Sequence, residues 1–277
     1  MRREPLSDDW LRPAVMGIVN VTPDSFSDGG RYASASDAAA TARRMLEDGA
    51  AIVDVGGEST RPGAADVSQD EELRRILPVL ELLEGCPVSI DTSRAGVARR
   101  ALALGATMVN DVTALRREPE LAEVVAEAGA RLCLMHMQGE PRTMQEAPHY
   151  GDVVSEVASF LEERLAVALA AGVAEERTCL DPGFGFGKTA DHNLELVRGL
   201  DRIVAIGRPV LVGLSRKWTL ARVVEGPEAR LGTDAASVGA AVAAFDRGAS
   251  LFRVHDVRSH VEALAVAAAV ERGTVTP

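Results

Sequence analysis

Carboxylates, amides and cations in this chain collect at the ends of its apolar runs rather than inside them. Asn20 stands at the end of MGIVNV, Gly56-Gly57-Glu58 after AIVDV, Asp91 after VSI and Asn110-Asp111 after MV. His136 follows LCLM, Asp181 follows TCL, Ser215-Arg216-Lys217 follow VLVGL, and Arg253-Val254-His255-Asp256 follow LF. Arg253 and His255 are two residues apart, so on a strand their side chains point the same way. Two of the run ends open loops dense in special residues, NVTPDSFSDGG over 20–30 and GGESTRPG over 56–63. Their prolines and paired glycines fix turns, and their Thr, Ser, Asp and Arg side chains supply donors, acceptors and charge suited to holding a phosphate or a metal. Both loops are candidates for mobile lids, although Ser25, Ser27 and Asp28 would also cap the start of a helix. Reactive groups at every run end read as an enzyme.

Groups this far apart in sequence need a scaffold that gathers strand ends. A (β/α)8 barrel does so, because the C-terminal ends of its eight parallel strands share one face. The runs between the strand-like segments, 37–48, 70–84, 94–104, 119–128, 151–171, 192–206, 233–247 and 257–271, carry Ala, Leu, Glu and Arg at roughly helical spacing. Gly49, Gly105, Gly129, Gly172, Gly207 and Gly248 follow six of them, where a helix ends in a left-handed residue. Eight βα units without repeat identity favour the TIM barrel in a single domain over the second reading, an open doubly wound sheet. Residues 1–13 read as an N-terminal leader and 14–277 as the barrel.

Composition narrows the function classes. At 277 residues with no Pro/Ser-rich linker, one domain is expected. Hydrophobic residues make up 47% and aromatic ones only 4%, which fits buried parallel strands under Ala-rich helices. A formal net charge of −11 argues against nucleic acid as a partner, while local Arg and Lys leave an anionic small molecule open. Cys86, Cys133 and Cys179 are odd in number and scattered, so neither a disulfide framework nor a zinc site follows, and the proximity of Cys133 to His136 does not change that. The N-terminal MRREPLSDDW lacks the apolar stretch of a signal peptide, and no run approaches the roughly 18–20 apolar residues of a membrane span. A cytoplasmic location without membrane attachment is expected.

Taken together, MGIVNVTPDSFSDGG at 16–30, DVGGESTRPG at 54–63, SIDT at 89–92, NDV at 110–112, MHMQGEPRTMQ at 135–145, DPGFGFGKT at 181–189, SRK at 215–217 and RVHDV at 253–257 resemble, in order, the dihydropteroate synthase family of pterin-binding enzymes. The resemblance runs from about residue 14 to 265 and implies a (β/α)8 barrel in the folate pathway, the target of sulfonamides. Its reaction would join 6-hydroxymethyl-7,8-dihydropterin diphosphate to p-aminobenzoate, releasing diphosphate and 7,8-dihydropteroate. Residue chemistry agrees: a pterin presents an edge of donors beside a ring carbonyl, which calls for buried carboxylates, an amide and a cation. By resemblance Asp181 and Asn110 hold the pyrimidine edge, Asp91 faces the ring nitrogens, and Lys217 bridges the pterin and aminobenzoate sides. Arg253 would stack on the pterin and, with His255, Asn20, Thr60 and Arg61, bind the diphosphate. Asn20 would be the one protein ligand of a Mg²⁺ that takes its other ligands from phosphate and water.

The same resemblance assigns Phe26, Thr60, Pro62, Phe186, Lys217 and Trp218 to the aminobenzoate pocket and adds Asp28 to a catalytic set of Asp91, Lys217, Arg253 and His255. It implies that diphosphate leaves first, giving a pterin-methyl cation that the aryl amine attacks, and that the enzyme is a homodimer. No nucleophile motif is needed, because the neutral aryl amine is itself a nucleophile. One position departs from the family: the residue after the SRK lysine is commonly a small hydroxyl, and here it is Trp218, followed by Thr219. Either the indole turns away and leaves a backbone N–H for the carboxylate, or it alters aminobenzoate and sulfonamide affinity. Two other readings stay open: a pterin-binding methyltransferase of the same superfamily and a non-catalytic pterin-binding paralogue.

Overall fold

The structure, a computed structural model, describes residues 13–22, 35–59 and 66–274. Eight strands run β1 Ala14–Asn20, β2 Ile52–Gly56, β3 Val88–Asp91, β4 Met108–Asp111, β5 Arg131–Met135, β6 Thr178–Asp181, β7 Leu211–Val212 and β8 Leu251–Val254. All ladders are parallel in the order β6-β5-β4-β3-β2-β1-β8-β7. A parallel bridge between Leu180 and Val210 joins the two outer strands and closes the ring. Closure decides for the barrel over the open sheet, and it removes both sheet edges.

Ten α-helices surround it among the described residues: α1 Ala35–Glu47, α2 Gln69–Leu82, α3 Ala95–Ala103, α4 Leu121–Ala128, α5 Val153–Ala170, α6 Ala190–Arg198, α7 Leu200–Val204, α8 Trp218–Glu225, α9 Asp234–Phe245 and α10 Val257–Arg272. The six glycines expected to end helices all have positive φ; Gly129 at φ 58° is the C-cap of α4. Side-chain caps start several helices, as where Ser68 accepts from Glu71 N at 3.2 Å and Asp256 accepts from Ser259 N at 3.3 Å. Two departures from the sequence reading stand out. The single helix expected over 192–206 is broken at Gly199, which packs so close to Val154 that a Cβ there would lie 2.9 Å from its Cγ2. Helix α8 was not expected; its eight residues are too few for a clear period, yet Thr219, Leu220 and Ala221 are buried.

Strand alternation places the site. Met16, Ile52, Met108, Cys133, Cys179, Leu211 and Leu251 form an apolar cluster within the ring. A second, larger cluster fills the space between strands and helices. Two residues further along their strands from Ile52, Met108, Cys179 and Leu251 stand Asp54, Asn110, Asp181 and Arg253, so period-2 geometry sets a polar layer directly on the apolar plug. Cys133 and Cys179 are register partners across β5 and β6, and a hydrogen bond between them, with burial, pushes the Cys133 thiol up. All three cysteines are free thiols.

Candidate active site

A guanidinium bridging two carboxylates lies at the centre of the polar layer. Arg253 on β8 donates from Nε to Asp54 Oδ2 at 2.7 Å and from Nη2 to Asp91 Oδ2 at 2.8 Å. Asn110 on β4 donates from Nδ2 to the same Asp54 oxygen at 3.0 Å. A carboxylate only accepts, so this bond orients the amide and leaves Asn110 Oδ1 as a buried acceptor without a partner among the described residues; Asp54 Oδ1 is in the same state. Burial pushes the Asp91 carboxyl up to about 7, with Arg253 opposing and Asp54, Glu72 and Asp111 adding to the rise. Burial works against the Arg253 charge as well, but Asp54 and Asp91 outweigh it and hold its pKa above the ordinary arginine value. Such a cluster gains little stability for its desolvation cost, and unsatisfied buried acceptors are costly. Its chemistry is that of a site prepared for a ligand carrying N–H donors.

Beside it, Asp181 Oδ1 accepts from Gly183 N at 2.7 Å. Burial raises this carboxyl to about 6 against the Gly183 N–H and the charges of Lys217, Lys188 and Arg253. Lys217 sits with its Nζ 4.4 Å from the centre of the Phe186 ring, a cation–π contact. The residue before it, Arg216, is held at φ 57°. Its N–H donates to Ser237 Oγ at 2.9 Å, and its guanidinium pairs with Asp234 at 2.7 and 3.0 Å. This left-handed turn, secured from α9, fixes the direction in which the chain enters Lys217.

At the end of β8, Ser215 Oγ accepts the backbone N–H of His255 at 3.1 Å and lies 2.9 Å from His255 Nδ1. In the tautomer whose Nδ1 accepts from this hydroxyl, Nε2 keeps its hydrogen and is a donor. Asn20 ends β1, the neighbour of β8, where Gly17 pairs with Val254. Among the described residues no group of three His, Cys, Asp or Glu could hold a metal.

A family profile described as pterin binding enzyme matches residues 16–255. The Escherichia coli (strain K12) dihydropteroate synthase is 48% identical over 262 residues, covering 93% of this chain and 92% of that protein. The chain belongs to the dihydropteroate synthase family. The crystal structure of the Yersinia pestis member with a sulfonamide drug complex superimposes at TM-score 0.88 with 42% identity, over 95% of this chain and 96% of that one. The Xanthomonas albilineans member in complex with 7,8-dihydropteroate superimposes at TM-score 0.82 with 45% identity, over 95% of both chains.

Against the family's pattern, the fold gathers Asp91, Asn110 and Arg253 with Asp54 into one hydrogen-bonded cluster, and sets Lys217 against the Phe186 ring where its charge acts on Asp181. His255 and Asn20 stand at neighbouring strand ends. Phe26, Asp28, Thr60, Arg61 and Pro62 lie outside the described residues, as do positions 1–12 of the leader. Trp218 is the first residue of α8, and its ring packs on Arg222 one turn along, 4.4 Å from guanidinium carbon to ring centre. The backbone N–H of Trp218 stands at the helix start beside Lys217, where anions are favoured. Sequence reasoning gave no role to Asp54 or Ser215. Strand alternation through Ile52, Asp54 and Gly56 puts Asp54 inside the barrel, the one signal that could have found it.

Proposed function

We propose that the chain condenses 6-hydroxymethyl-7,8-dihydropterin diphosphate with p-aminobenzoate, releasing diphosphate and 7,8-dihydropteroate. The observation that carries this reading is the pair of buried, unpartnered acceptors, Asp54 Oδ1 and Asn110 Oδ1, in one cluster with Asp91 and Arg253. The donor edge of a pterin would satisfy them, and Asp181 adds a further carboxylate acceptor. Lys217 would answer the ring carbonyl while its cation rests on Phe186, so that pterin and aminobenzoate meet on either side of one ammonium.

The protein's part in the reaction is positioning and electrostatics. Asp54 and Asp91 hold two nitrogens of Arg253, which sets the plane of the guanidinium for stacking on the pterin and its charge toward the departing diphosphate. His255, oriented by Ser215, would donate from Nε2 to that same anion. Carboxylates around the pterin favour positive charge on its exocyclic carbon as the carbon–oxygen bond breaks. The aryl amine then attacks and loses its proton to solvent or to the diphosphate.

Magnesium fits in a restricted way: Asn20 supplies one hard oxygen ligand and no carboxylate cage stands ready among the described residues, so the ion would arrive with the diphosphate. When bound, it neutralises charge on the leaving group. Thr60, Arg61, Phe26, Pro62 and Asp28 are assigned to closing the diphosphate and aminobenzoate sides by family resemblance alone. The same reading makes the protein a cytoplasmic homodimer and a sulfonamide target, the drug's aryl amine taking the place of that of p-aminobenzoate. No described helix is long and apolar enough to cross a membrane. Calorimetry tests the two-substrate site: p-aminobenzoate should bind measurably only when pterin, diphosphate and Mg²⁺ are present. Equal affinity with and without them contradicts the proposal.

A further inference from the structure

Lys188 has no exposed surface at all, which is exceptional for a lysine. It follows the DPGFGFG segment, and its side chain turns back beneath that segment. Its Nζ lies 2.9 Å from Gly183 O, 3.1 Å from Phe186 O and 2.8 Å from His136 Nδ1. Burial holds the lysine pKa well below its usual value, and burial, with Lys188 and Arg116 nearby, pushes His136 down to about 2, so the imidazole is neutral. Either form of the amine keeps both carbonyls: an ammonium donates to all three acceptors, and a free amine donates to the two carbonyls while its lone pair takes the Nδ1 proton of the other tautomer.

The loop it holds is a constrained one. Gly183, Gly185 and Gly187 all have positive φ, at 68°, 79° and 63°. A Cβ on Gly183 would fall 1.8 Å from His136 O, and one on Gly187 would fall 2.4 Å from Gln138 O, so the backbone is pressed against its neighbours. Gln145 donates to Gly185 O at 2.5 Å, Tyr150 to Gly187 O at 2.8 Å, and Asn193 accepts from Gly185 N at 2.8 Å. On its other side the loop makes the site: Gly183 N–H binds Asp181, a Cβ on Gly185 would be 3.3 Å from Lys217 Cδ, and Phe186 carries the Lys217 ammonium.

We propose that Lys188 is a positioning residue that acts through Phe186, its buried amine tying Gly183 O and Phe186 O so that the loop presents the Phe186 ring to Lys217 and the aminobenzoate. The inference rests on the functional reading above, and wild-type turnover measured first separates failure of that reading from failure of this one. Lys188→Met keeps the length and removes the donors. The expected result is a rise of about tenfold in the KM for p-aminobenzoate with a smaller change in pterin affinity, since a misplacement near 1 Å can cost up to about a hundredfold. The decisive arm repeats Lys188→Met in a Phe186→Ala background, where its effect on that KM should shrink to less than about twofold. Lys188→Gln, which is smaller and keeps two donors, should show the same direction with a smaller rise. The proposal is overturned if KM stays within about twofold in a folded Lys188 variant while only Tm falls, if the two substitutions multiply independently, or if neither variant folds, because Lys188 then serves the fold alone.

Discussion

Arg253 and Asp54 share a 2.7 Å hydrogen bond inside the barrel, from the guanidinium Nε to a carboxylate that is wholly buried. The pair joins β8 to β2 and, through Asn110 and Asp91, to β4 and β3. Removing Asp54 leaves Arg253 with Asp91 alone and strips Asn110 of its acceptor. Asp54→Ala should therefore lower unfolding stability by about 3 kcal/mol, the lower end for breaking a buried pair. The double variant with Arg253→Ala should be less destabilised than the sum of the singles. Denaturant titration of all three variants measures this, and simple additivity would show that the pair does not act as a unit.

Asp181 makes the lower part of the pH dependence and Asp91, raised to about 7, the upper part. Its carboxyl is raised from 3.8 to about 6 by burial, so the folded protein holds this proton after the unfolded chain has released it. Stability from this group therefore falls as pH rises from 3.8 through about 6, and pterin binding, which needs the ionised carboxylate, strengthens over the upper part of that window. Calorimetry from about pH 5 to 8 should show affinity rising and then levelling, with proton release on binding. Asp181→Ala should cost about 2–4 kcal/mol of pterin binding and remove the rise near pH 6, leaving the part set by Asp91 near 7. A variant that keeps wild-type affinity would remove Asp181 from the pterin edge.

Ser215 should matter through His255 rather than through substrate. One hydrogen bond orients the ring, and such a bond is worth about 1 kcal/mol, so Ser215→Ala should lower kcat about three- to tenfold with the p-aminobenzoate KM unchanged. Steady-state kinetics decides it; an unchanged kcat would mean that His255 orients itself.

The strand ends were legible in the sequence because each apolar run stops at a polar residue, and closure of the barrel then did what separate residues could not. Asp54 was missed because it sits inside a run rather than at its end; strand alternation could have put it in the ring, but only the ring's interior gives it Arg253 as a partner. Lys188 was given no role from the sequence, because its three partners come together only on folding. The helix expected over 192–206 breaks at Gly199, and the close approach of that residue to Val154, 45 positions earlier in the chain, is encoded in no local pattern. Trp218 posed two alternatives in the sequence, and the packing of its ring on Arg222 one turn along supports the one that leaves a backbone N–H at the helix start.

Because that ring is committed to Arg222 while the backbone N–H of residue 218 is kept by any residue except proline, Trp218→Ser should change the p-aminobenzoate KM by less than about threefold, within the range of an exposed cation–π contact. Sulfonamide inhibition should move by a similarly small factor. A change well beyond this in either quantity would place the indole in the pocket.

The central claim, that this polar layer condenses a pterin diphosphate with an aryl amine, is tested most directly by diphosphate release from the purified protein supplied with 6-hydroxymethyl-7,8-dihydropterin diphosphate and Mg²⁺. Diphosphate should be released over successive turnovers only when p-aminobenzoate is added, in step with 7,8-dihydropteroate, and Arg253→Ala should slow it by about a hundredfold or more, the scale for removing one preorganised electrostatic group. Release that ignores p-aminobenzoate, or an Arg253→Ala rate near that of the unaltered protein, would contradict the account.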